Sequence, residues 1–268
     1  MITSKDNETV KHSAKLVKSA SYRKSCGLFT AEGVRICLDG VRSGFKPELF
    51  LHTPTAAEKH RAELEEIAGA SGRVLEVSNE IFAKLGDTKS PQGFFCVFNV
   101  LDKQEFPYRI NKRGNYLACE RIQDPSNLGT ILRTAEALGI EGVILSPDCC
   151  DFFSPKVVRG SMGAVFRVPS YTPDNFSAYI AQLSAQGIPT FASSPRDADD
   201  VTSIVFDGGV MLVGNEGSGL SDEAVAACTR KVTIPMRGRA ESLNAAAAAA
   251  ILLWEMFREP LNKSRPAD

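Results

Sequence analysis

Three clusters in the second half of this 268-residue chain combine residue types and spacing that could do chemistry. The first is Asp124-Pro125-Ser126-Asn127-Leu128-Gly129, followed by Arg133. The second, Gly214-Asn215-Glu216-Gly217-Ser218-Gly219-Leu220-Ser221, comes directly after the apolar run Val210 to Val213. In the third, Ile234-Pro235-Met236 precedes Ser242-Leu243-Asn244, which opens a near-pure alanine helix reaching Trp254. Glycines allow a backbone to approach a ligand closely. Helix starts leave N–H groups without partners, and the crevice beyond the carboxyl ends of parallel strands is where open α/β sheets bind ligands. The pattern points to a small cofactor held by two loops, with a reaction partner presented to it.

Each cluster also has a plain structural explanation. Asn127 sits where a helix N-cap would be. Ser221 suits a cap, with Asp222 and Glu223 favourable in the following first turn. Alanine is the best helix former, and Leu243, Ala246, Ala247, Ala250, Ile251, Trp254 and Phe257 form an apolar stripe expected to face a core. Glu216, Ser242 and Asn244 have weaker structural reasons to be there.

Several chemistries are disfavoured. The second cluster lacks the lysine and Ser/Thr of a phosphate-binding P-loop, and its glycines are not in G-x-G-x-x-G order. A dinucleotide-dependent oxidoreductase is therefore disfavoured. His12, His52 and His60 all lie in the first quarter, which argues against a histidine-based hydrolase triad or a zinc site in the later part. No metal is expected. Seven cysteines, none spaced C-x-x-C, fit a reducing cytosol. The start of the chain lacks a signal-peptide core, and the run Ala245 to Trp254 is about half the ~20 residues that span a bilayer. A cytoplasmic protein without membrane association is expected.

Alternating helical and strand patterns run through the chain. Helices are expected at 8–20, 34–43, 56–70, 81–85, from Thr130 to Gly139, 155–166 and 176–186, and a polar turn at 19–27. Strands are expected at 48–52, 74–77, 94–100, 116–119, 142–145, 168–171, 189–193 and 210–213, with Asn79 a candidate cap. Residues 1–101 read as an α/β unit complete in itself, 102–114 as a polar linker, and 115–268 as a second α/β domain. Its mostly parallel sheet would be covered by helices on both faces. Net charge is -1, so any nucleic-acid surface must come from local clusters such as the lysines and Arg23 of residues 1–27.

The motifs D-P-S-N-L-G-T-I-L-R-T-A, V-G-N-E-G-S-G-L-S and I-P-M…E-S-L-N-A-A-A-A-A-A resemble the three ordered motifs of the SpoU (TrmH-type) RNA ribose 2′-O-methyltransferases of the SPOUT superfamily. R-G-S-M-G-A-V-F-R-V-P supports the resemblance. F-T-A-E-G-V-R and D-T-K-S-P-Q-G resemble the ribosomal-protein-like RNA-binding domain that many relatives carry. The resemblance implies a deep trefoil knot in the second domain, S-adenosylmethionine as cofactor and a homodimer. Ribosomal RNA, 23S in particular, is the implied substrate, with tRNA the rival and a non-catalytic RNA-binding protein of the same fold a further alternative. It places Leu212, Gly214, Glu216, Gly217, Ile234, Met236 and Leu243 at the cofactor, and Asn127, Arg133, Glu216, Ser242 and Asn244 in catalysis. The motifs and local charge together suggest Arg23, Lys24, Arg35, Lys89, Arg159, Arg237 and Arg239 for RNA contact.

Overall fold

The computed structural model describes residues 1–86, 88, 90–100 and 110–263. Lys89 and linker residues 102–109 lie outside the described residues. Packing divides the chain into two units: Met1–Gln104 with Asp151–Arg167, and Glu105–Cys150 with Val168–Asp268.

The chain opens with α1 (Glu8–Lys18), capped by the Asn7 side chain accepting from the Thr9 N–H. The turn expected at 19–27 is instead α2 (Ala20–Cys26). Ser19 caps it through the Tyr22 N–H, and Gly27 ends it in the left-handed region at φ 65°. This short helix is set by its caps, which carry no apolar periodicity. Next come β1 (Leu28–Glu32), α3 (Val34–Arg42) and β2 (Pro47–His52). The single helix expected over 56–70 is split at His60 into α4 (Pro54–Lys59) and α5 (Arg61–Ala70). β3 (Val74–Glu76), α6 (Asn79–Leu85) and β4 (Phe94–Asn99) complete this part, with Ser78 rather than Asn79 capping α6. The sheet order is β1-β4-β2-β3, with β4 antiparallel to both neighbours and β2–β3 parallel.

The second part runs β5 (Asn115–Cys119), α7 (Pro125–Leu138), β6 (Gly142–Leu145), α8 (Pro155–Gly160), α9 (Ala164–Arg167), β7 (Ser170–Tyr171), α10 (Phe176–Ala185) and β8 (Thr190–Ser193). It continues with β9 (Asp199–Asp200), β10 (Gly209–Val213), α11 (Asp222–Ala227), β11 (Arg230–Thr233) and α12 (Ala245–Lys263). The seven strands lie in the order β7-β6-β5-β10-β8-β11-β9, and every pairing is parallel. Val210 and Leu212 of β10 pack with Tyr116, Ile144 and the α10 residues Phe176, Ile180 and Leu183. α12 packs on α7 and β10.

Two expectations about packing change. α12 buries Ala245, Ala246, Ala249, Leu252, Leu253, Met256 and Phe257, and leaves Ile251 and Trp254 39% and 49% exposed. The helix is apolar on both sides, so periodicity could not choose the core face. The single helix expected over 155–166 is two short ones, broken at Met162 (φ 50°) and Gly163 (φ 87°), and both belong to the first unit. There Phe166 lies 5.8, 5.2 and 5.2 Å from the rings of Phe29, Phe45 and Phe98, and Phe153 lies 4.6 Å from Phe29. Gly40 of α3 admits this packing, since a Cβ there would stand 2.6 Å from the Phe98 ring. The N-terminal hundred residues are therefore not complete in themselves.

Phe166→Ala removes a ring 4% exposed at the centre of this cluster. It is expected to lower the stability of the first unit by about 3–5 kcal/mol in urea unfolding. An unchanged midpoint would contradict the role given to residues 151–167.

Candidate active site

The Glu216 carboxylate ties the first two clusters together. Its oxygens accept from the backbone N–H groups of Gln123 (3.2 Å) and Asp124 (3.1 Å) and from Asn127 Nδ2 (3.0 Å). The third cluster joins through Asn244, whose Nδ2 donates to Asn127 Oδ1 at 3.0 Å. Asn244 Oδ1 accepts from the Ala246 and Ala247 N–H groups and so caps α12. A carboxylate at one end and helix N–H groups at the other leave only one orientation for both amides. Asn127 is not the α7 cap. Asp124 is, accepting from the Ser126 N–H, which leaves the Asn127 side chain available to Glu216.

Burial pushes the Glu216 carboxyl up, but the hydrogen bond from Asn127 and the backbone donors outweigh it and hold it below the ordinary carboxylate value. The folded-state value is depressed, so the stabilising contribution is present above the unfolded value and is lost as pH falls through the lowered one.

Glu216 is aimed by the loop after β10. Asn215 and Gly219 exchange backbone hydrogen bonds at 3.0 Å each way, and Asn215 Oδ1 accepts from the Gly217 and Ser218 N–H groups. Asn215 Nδ2 also donates to the Arg121 carbonyl. Gly214 must be glycine, because a Cβ there would lie 2.2 Å from the backbone of Gly219 and Leu220. Below the loop, buried Glu120 accepts from the Ser221 N–H and hydroxyl. Sequence reasoning missed Asn215, Glu120 and Arg121, the last at φ 54° where the chain turns into the site. Asn215 had one signal, an Asn two residues before a glycine, which suits a side-chain-closed turn. Glu120 had none.

A cavity of about 500 Å³ opens beside this loop, within the range of small-ligand sites. Gly214, Glu216, Gly217, Ile234, Met236 and Leu243, which the resemblance places at the cofactor, line it together with Ser242. Leu212 does not. It is fully buried in the sheet core, whereas its neighbour Val213, on the opposite face of the strand, reaches the cavity. Arg196, Asp197 and Lys231 line it unforeseen. The donor set fits a ligand with a flat apolar part and polar ends: apolar walls, loop backbone with no side chain at Gly214, and charges of both signs. Arg133 is exposed on α7 and forms no hydrogen bond or ion pair among the described residues. It lies six residues past Asn127, about 240° round the helix, so the two side chains leave on different sides.

The candidate RNA contacts separate. Lys24, Arg35, Arg237 and Arg239 are exposed. Arg23 is not available: its side chain is 7% exposed, pairs with Asp151 at 2.5 Å and donates to the Leu16 and Val17 carbonyls. Arg159 belongs to the first unit and lines a cavity there with Glu32 and Arg35, whereas Arg237 and Arg239 belong to the second.

The model of the SpoU rRNA Methylase family matches residues 114–254. This chain belongs to that family. A second model, the MRM3-like substrate binding domain, matches residues 7–96. Among relatives, an uncharacterized tRNA/rRNA methyltransferase of Synechocystis sp. is 32% identical over 99% of this chain and 96% of its own length. The 23S rRNA (guanosine(2553)-2′-O)-methyltransferase RlmP of Bacillus subtilis is 28% identical over 95% and 98%. A solved structure of AdoMet-bound rRNA methyltransferase from Sinorhizobium meliloti superposes with a TM-score of 0.82 at 30% identity, covering 96% of this chain and 97% of that one.

Two outcomes test the SpoU-family loop. As pH is lowered, the Asn127 side-chain amide resonances should persist through the ordinary glutamate range, about 4.3. They should collapse only below it, and loss at or above that value would contradict the carboxylate's role. Gly214→Ala should displace the 214–219 backbone and abolish ligand binding in the cavity while leaving the β10 core folded, as judged by calorimetry and circular dichroism.

Proposed function

We propose that this chain transfers a methyl group from S-adenosylmethionine to a ribose 2′-hydroxyl of 23S ribosomal RNA. The observation that carries the reading is the Glu216–Asn127–Asn244 hydrogen-bonded chain, which joins the three motifs and whose Glu216 lines the cavity. Membership of the SpoU family and relatives named as 23S rRNA 2′-O-methyltransferases support it. In this reading the second unit is the catalytic domain and the first the substrate-binding domain, acting in the cytoplasm where ribosomal RNA is found.

The bound cofactor supplies an electrophilic methyl on a sulfonium, and this chain's residues do the rest by positioning. Gly214 and Gly217 let backbone meet the ligand closely, Ile234, Met236 and Leu243 form the apolar walls, and Ser242 offers its hydroxyl at the entrance. Asn127 and Asn244 hold the loops against each other so that the methyl and the incoming hydroxyl stay in line. A guanidinium is a poor base, so Arg133 serves as a clamp on RNA phosphate that polarises the 2′-hydroxyl.

The same reading includes a homodimer and a trefoil knot. α12 presents exposed Ile251 and Trp254, with Leu243 at its start, as an apolar strip a second copy would cover. A second copy also suits Arg133, which leaves α7 on a different side from Asn127 and would serve the partner's site. For the knot, support comes from the return of the chain after β11 to the start of α7, where Asn244 meets Asn127.

Incubating the protein with labelled cofactor, 23S RNA and tRNA, then mapping ribose methylation, should give one modified nucleotide in the 23S RNA, whereas label only in tRNA would overturn the substrate. Arg133→Ala should reduce transfer about 100-fold or more with cofactor affinity unchanged. Equal loss of cofactor binding would remove the clamp role. Trp254→Glu should convert a dimer to monomers in sedimentation.

A further inference from the structure

A second cavity lies in the first unit and belongs to none of the three motifs. Its volume is about 850 Å³, bounded by α3, the α4–α5 break, α6 and residues 91–93. We propose that it is a pocket for an unpaired RNA nucleotide, recognised by Arg35, Lys59, His60, Asn79 and Gln92. This rests on the reading that the substrate is RNA, and specifies where and how the first unit grips it.

The lining has the parts a nucleotide needs. Arg35 and Lys59 are exposed and make no hydrogen bond or ion pair among the described residues, so both are available to phosphate. The acidic residue in the lining, Glu63, lies 4.0 Å from His60 Nδ1. The floor is apolar, with Phe82 and Val34 buried. His60 sits at the break between α4 and α5 and lines the cavity, its ring 6.1 Å from Phe94, and it supplies an aromatic ring of the kind on which bases stack. Gln92 Oε1 accepts from the Val34 N–H at 3.1 Å, which fixes the amide and points its Nε2 donors elsewhere. Asn79 uses one amide atom on Thr55 and keeps the other open. Cations, a flat ring and orientable amide groups around an apolar floor match a splayed-out base with its phosphate. A duplex, whose bases are paired and stacked, offers no splayed-out base to such a pocket.

The test uses the full chain and a fluorescein-labelled ten-nucleotide single-stranded RNA of mixed sequence, beside the duplex of the same sequence, with anisotropy measured across a salt series. Lys59→Ala and Arg35→Ala should each weaken single-strand binding and lower the salt slope by about 0.7 per lost phosphate contact. His60→Ala and Asn79→Ala should weaken it by about tenfold with the slope unchanged. A 4-thiouridine in the strand should cross-link within 53–63 or 79–93. Unchanged single-strand affinity in all four variants, equal losses on duplex, cross-links elsewhere, or competition by polyglutamate as strong as by RNA would each overturn the pocket. The two readings fail separately. Methyl transfer with unchanged KM in all four variants sinks the pocket and leaves the enzyme. Absence of transfer to any RNA, with single-strand binding still lost in the variants, sinks the enzyme and leaves the pocket.

Discussion

One carboxylate holds the catalytic half in register. Glu216 accepts from two consecutive backbone N–H groups and from Asn127, which come from a loop and helix some ninety residues earlier in the chain. Without the Glu216 side chain, the two N–H donors would lose their acceptor and Asn127 its anchor, and Asn244 would have no oriented amide to meet. A parallel sheet brings these loops to one edge, but it does not make them touch. Hydrogen bonds to a charged acceptor are about twice as strong as neutral ones, which makes a single glutamate sufficient to close the arrangement. The strict glycine at 214 follows from the same need, because the loop must fold back within 2.2 Å of where a Cβ would be.

Much of the catalytic half was legible in the amino-acid sequence. Buried parallel strands read as short apolar runs, and β5, β6, β8 and β10 fall where such runs occur. The motif residues Gly214, Ile234, Met236 and Leu243 line the cavity because loops beyond strand ends have few other places to go. Leu212 went astray by one pleat: a strand alternates its faces, and a motif match does not say which face is wet. Asn127 looked like a cap because any Asn near a helix start does, and only geometry shows Asp124 in that role and frees Asn127. Arg23 looked like a surface charge for the same kind of reason. Its partner, Asp151, lies 128 residues away and no local pattern announces it.

The two units divide the work by chemistry. The second offers small polar groups, free backbone and a restrained cavity, suited to positioning a reaction. The first offers exposed cations and partly committed amides around an apolar floor, suited to gripping a strand. Neither needs high net charge. A formal charge of -1 over the whole chain is compatible with local cationic pockets, and it keeps non-specific binding to the large excess of other RNA low.

The phenylalanine cluster of the first unit has a consequence for synthesis. Phe29, Phe45 and Phe98 leave the ribosome early, but Phe153 and Phe166 complete their packing only after β5, α7 and β6 have been made. At roughly 5–20 residues per second, the nascent chain carries an unfinished aromatic core for several seconds. The first unit therefore completes its core only once the start of the second already exists.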